Sequence, residues 1–132
     1  MEVSSGMVEF SGADAAKKTK GFLARPKDPG KHPAVIVIHE IWGLSAHIKD
    51  VVQRLAREGY VGLGVDLFEG KVISKLEEGR EMRQRLSEEK ILRDLNGAFE
   101  YLENLDFVNP ERIGSIGFCM GGGLSLLLAC QN

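Results

Sequence analysis

The sequence predicts an α/β fold built on a largely parallel sheet, and three observations carry that reading. "AVIVIH" at 34–39 and "YVGLGVDLF" at 60–68 are continuous apolar runs rich in β-branched residues. Such runs suit strands covered on both faces, as in parallel sheets. Between them, "SAHIKDVVQRLAREG" places Ile48, Val51, Val52 and Leu55 at i, i+3, i+4 and i+7, one face of a helix. The two patterns alternate along the chain, which is the signature of β-α-β units with right-handed crossovers.

Each element has its local reason. "GMVEF" at 6–10 and "GFLARP" at 21–26 read as two short strands, with "SGADAAKKTK" as their hairpin loop. "KDPGKHP" at 27–33 is turn material, because its prolines remove backbone donors and its glycine permits positive φ. Ser45 is the expected N-cap of the first helix and Gly59 its stop. Residues 74–86 are charged and expected to be helical despite Gly79. Ser87, followed by Glu88 and Glu89, starts a further helix with acids at the positive end of its dipole. Ile91, Leu92, Leu95, Phe99 and Leu102 form its apolar stripe. "DFVNPER" at 106–112 is expected to turn, "RIGSIGF" at 112–118 to be a third strand, buried in a complete sheet but an exposed edge in this chain taken alone, and Gly121 onward to be helical.

Bulk properties exclude several classes. The 132 residues suffice for a single domain, 1–132, and 43% hydrophobic with 27% charged residues argues against disorder. A net charge of −2 favours neither nucleic acid nor an anionic membrane, and "KKTK" at 17–20 reads as a solvated turn. No apolar run approaches a membrane span, and the N-terminus lacks the layout of a signal peptide. Cys119 and Cys130 form neither a CxxC nor a zinc pattern, so a reducing, cytoplasmic setting is expected. No metal or organic cofactor is implied.

In such sheets ligands gather at the carboxyl ends of the strands. Those ends are His39-Glu40, Asp66 and Phe118-Cys119. "G-F-C-M-G" at 117–121 fits a nucleophile elbow with cysteine in place of serine. A strand that turns into a helix within about one residue crowds positions two before and two after the nucleophile, and both are glycine here, Gly117 and Gly121. The helix that follows would aim free N–H groups at the thiol, favouring thiolate and developing oxyanion alike. The glycines at 114, 117 and 121 make neither GxGxxG nor a phosphate-binding loop.

"HEIWGL" at 39–44, the helix "HIKDVVQRLAREGYV", "DLFEG" and "IGFCMGG" together resemble the dienelactone hydrolase family of α/β-hydrolases, over essentially all 132 residues. The resemblance implies a three-layer α/β-hydrolase sandwich, of which this chain holds the N-terminal part: a β-hairpin, then β-α-β-α-β-α. It implies Cys119 as nucleophile and Glu40 as the carboxylate that helps to ionise the thiol. Ile41 and Met120 match the backbone N–H donors of the oxyanion hole. The implied chemistry is hydrolysis of small carboxylic esters or enol-lactones through a cysteine acyl-enzyme.

His39 and His47 precede the nucleophile, whereas in this fold the acid and the histidine follow it. His39 is therefore expected to be structural, beside the oxyanion loop, and His47 to help start its helix. Trp42 either lines the pocket or packs, Asp66 serves the loop after its strand, and Cys130 fills core. Family members typically run to about 230 residues or more, and the resemblance puts the triad acid, the histidine and the arginine partner of Glu40 in the later part not represented here. A complementing polypeptide is the expected partner, with a cleaved or shortened longer chain as the other origin. A non-catalytic assembly half and a thiol redox role through Cys119 are the alternatives.

Overall fold

The computed structural model describes residues 2–12 and 16–118 of the chain. β1 (Val3–Phe10) and β2 (Thr19–Pro26) form the expected antiparallel hairpin, in register from Val3 opposite Pro26 to Phe10 opposite Thr19. β3 (His32–Ile38), α1 (Ala46–Arg57), β4 (Val61–Val65), α2 (Leu76–Arg85), α3 (Glu88–Glu103) and β5 (Val108–Gly117) follow. The sheet order is β1-β2-β4-β3-β5. β2 meets β4 antiparallel, while β3 runs parallel to both β4 and β5. The two crossovers thus step to opposite sides of β3.

Side-chain alternation explains the layers. Ala34, Ile36 and Ile38 of β3 join Leu63 and Val65 of β4 and the Ile91, Leu95 and Leu102 stripe of α3 in one core. Val37 joins Ala24 and the Ile48, Val52 and Ala56 face of α1 in the other. β3 is therefore covered on both faces, as its unbroken apolar run required. At about 25 cal/mol per Å² of apolar surface, these two cores are the main favourable contribution to folding. Both caps form: the Ser45 hydroxyl accepts the Ile48 N–H at 3.4 Å and the Ser87 hydroxyl accepts the Lys90 N–H at 3.1 Å. Gly59 ends the first helix region at φ +98°. Among the described residues, no helix is long and apolar enough to cross a membrane.

Two expectations need correction. β4 stops at Val65 rather than running to Phe68, because the Asp66 carboxylate captures the Phe68 and Gly70 N–H groups at 3.1 and 2.7 Å and turns the chain. "DFVNPER" is only partly a turn, since β5 already begins at Val108. The pairing jumps from His32 opposite Val108 to Ala34 opposite Ile113, and Pro110, which has no N–H to give, lies in the resulting bulge. β5 is the sheet edge among the described residues, as expected of this chain taken alone, with Ile116 and, just after the strand, Phe118 exposed. The helix expected from Gly121 lies outside the described residues.

Candidate active site

The register of β3 and β5 brings the two halves of the expected site to one place. Ile38 stands opposite Gly117, the last residues of their strands. His39-Glu40 and Phe118 therefore leave adjacent parallel strands at the same carboxyl end. Cys119, Met120, Gly121 and Cys130 lie outside the described residues.

His39 is fully buried and holds two strand ends together. Its Nε2 accepts the Leu67 N–H at 3.1 Å, so the proton sits on Nδ1, which donates to the Glu40 carbonyl at 2.6 Å. The ring meets Phe68 edge-on, centroids 4.7 Å apart. Burial, the largest influence, holds its pKa below the ordinary 6.5, against the opposing pull of the Glu40 carbonyl and the Asp66 charge. A neutral histidine with both ring nitrogens engaged is a strut, the role that chain order had predicted. His47 sits exposed in the first turn of α1, where Ser45 makes the cap.

The chain then turns tightly. Glu40 C=O also accepts the Gly43 N–H at 3.1 Å. Gly43 has φ +88°, and a Cβ there would stand 2.4 Å from the Lys71 carbonyl oxygen, so only glycine fits. The Glu40 side chain is half-buried at the mouth of this turn, and among the described residues nothing hydrogen-bonds or ion-pairs with its carboxylate. Likewise the Ile41 N–H donates to no acceptor among the described residues. An unspent carboxylate and an unspent amide beside a strand end are what a nucleophile and its oxyanion would use. Trp42 is half-buried, and its carbonyl accepts the Ile73 N–H at 2.9 Å.

One contact escaped the sequence reading. Gly79, buried in α2, packs on Ile41 so closely that a Cβ would lie 2.7 Å from the Ile41 carbonyl oxygen. A glycine inside an otherwise charged helix was the available signal, and it was read only as a weakness in the helix. A separate cavity of about 190 Å³, lined by Lys17, Lys18, Lys20, Asp66, Glu69 and Lys90, holds none of the expected site residues. Two ion pairs lie in it, Lys17 with Glu69 and Lys90 with the buried Asp94, which also accepts the Thr19 hydroxyl at 2.9 Å. Among the described residues no group of three or more His, Cys, Asp or Glu could hold a metal ion.

The profile of the dienelactone hydrolase family matches residues 19–132. The chain belongs to the dienelactone hydrolase family. A Synechocystis protein named as a candidate carboxymethylenebutenolidase is 40% identical over 115 residues, covering 81% of this chain and 47% of that protein. A Bradyrhizobium protein named as a candidate 2-oxo-3-(5-oxofuran-2-ylidene)propanoate lactonase is 38% identical over 111 residues, 82% of this chain and 45% of its own. The crystal structure of a candidate dienelactone hydrolase from Klebsiella pneumoniae superposes with TM-score 0.84 at 28% identity, over 98% of this chain and 56% of that one. This dienelactone hydrolase-family chain thus spans about half the length of the relatives it matches. The five strands and three helices among the described residues are the N-terminal part of the α/β-hydrolase fold.

Proposed function

We propose that this chain carries the nucleophile and oxyanion machinery of a hydrolase for small carboxylic esters or enol-lactones. The observation that carries this reading is the pairing of Ile38 with Gly117, which sets the Glu40 turn beside the strand that leads into "FCMGG". Cys119 attacks the ester carbonyl as thiolate, and the oxyanion that forms is held by the Ile41 and Met120 N–H groups. The alcohol or enol leaves with a proton, and water then hydrolyses the thioester. Glu40, unpaired beside the turn, assists ionisation of the thiol. The histidine and acid that move these protons come from a complementing C-terminal half, on the same or a second polypeptide. The domain 1–132 is then one part of a single α/β-hydrolase domain. A thiol nucleophile works where thiols stay reduced, which supports a cytoplasmic setting.

The test is esterase activity of the completed assembly on p-nitrophenyl acetate. Cys119→Ala should abolish turnover, and an unchanged rate ends the proposal. Inertness of the parent assembly would favour a non-catalytic assembly half. Rapid peroxide consumption without ester hydrolysis would favour a thiol redox role.

A further inference from the structure

Three consecutive residues of the Glu40 turn are each held by the segment that leads into and through α2. Ile41 lies under Gly79, where a Cβ would meet its Cγ1 at 2.6 Å and its carbonyl oxygen at 2.7 Å. The Trp42 carbonyl accepts the Ile73 N–H at 2.9 Å. Gly43 abuts the Lys71 carbonyl. Gly79 is the one fully buried residue of α2, and Met82, half-buried, packs on the core shared with α3.

We propose that Gly79 is a positioning residue for ester hydrolysis, setting through α2 the height of the Ile41 peptide and hence the aim of its N–H into the oxyanion hole. This rests on the hydrolase reading above. The consequence is specific, because an amide displaced by a fraction of an ångström loses stabilisation of the developing oxyanion while leaving substrate binding and thiol ionisation alone.

The experiment uses the completed enzyme. Gly79→Ala forces the Ile41 peptide away from α2. The kcat for p-nitrophenyl acetate should fall roughly ten- to a hundredfold with KM within about twofold. Alkylation of Cys119 by iodoacetamide, a displacement that builds no carbonyl oxyanion, should keep its rate within about twofold. Glu81→Gly, on the exposed side of α2 and in ion-pair range of Arg85, loosens the helix without touching Ile41. It should move the two rates in the same unequal way, and it serves if Gly79→Ala does not fold. Amide hydrogen exchange of Gly43 and Ile73, whose N–H groups bond to the Glu40 and Trp42 carbonyls, should quicken in both variants. Equal losses of hydrolysis and alkylation, or unchanged kcat with unchanged exchange, would overturn the clamp while leaving the hydrolase reading intact. A parent without Cys119-dependent hydrolysis takes down both, even where exchange responds.

Discussion

At the scale of single residues, the site depends on what is engaged and what is left free. His39 spends both ring nitrogens on Leu67 and Glu40, so removing it strands a buried N–H and opens a cavity beside Phe68. His39→Ala should cost about 3 kcal/mol in urea unfolding. The pH dependence follows from its lowered pKa. Above about 6.5, the unfolded value, neither state is protonated and the contribution of His39 is complete. As the pH falls below that, the unfolded chain takes a proton that the buried ring refuses, and stability declines until the folded pKa is passed. Unfolding at pH 7.5 and 5.5 should show this loss in the parent, and His39→Gln should show less of it. Glu40 is the converse case. Its carboxylate has no partner among the described residues, so Glu40→Gln should shift stability by less than about 0.5 kcal/mol. On the proposed mechanism the same change should slow ester hydrolysis roughly a hundredfold, read as the initial rate of p-nitrophenolate release.

At the scale of elements, caps and stripes were legible and corners were not. Ser45 and Ser87 stand where the helices begin because a hydroxyl there satisfies an N–H that the helix leaves open. Ser87→Ala should cost about 1 kcal/mol in denaturant unfolding, and Ser45→Ala less, since its bond is longer at 3.4 Å. The stripe of α3 faces the core residue for residue, with Ile91, Leu95 and Leu102 buried and Leu92 and Phe99 half-buried. Asp66 serves the loop after its strand, as expected, by capturing N–H groups two and four residues on, and that capture sets the end of β4. What the sequence leaves open are features that depend on a distant partner. Pro110 is tolerated within β5 because the bulge opposite His32 and Ala34 excuses its missing donor. Gly79 reads as a helix defect until Ile41 is seen beneath it.

At the scale of the whole molecule, β5 is the feature with consequences. Among the described residues it has a neighbour on one side only and shows Ile116 and Phe118 to solvent. An exposed apolar edge recruits another strand. The 132-residue chain by itself should therefore self-associate in light scattering, and Ile116→Lys should reduce that association. A lone, monodisperse 14.5 kDa monomer would count against the need for a complementing half. The sequence by itself determined the alternation of strands and helices, the two helix caps, the structural standing of His39 and the family, because those rest on periodicity and short motifs that neighbours in the chain can specify. Only the tertiary structure decided that Ile38 and Gly117 end side by side and that α2 presses on the Ile41 peptide. Those are facts of register and close approach between segments tens of residues apart, and spacing along one chain does not encode how near two backbones come.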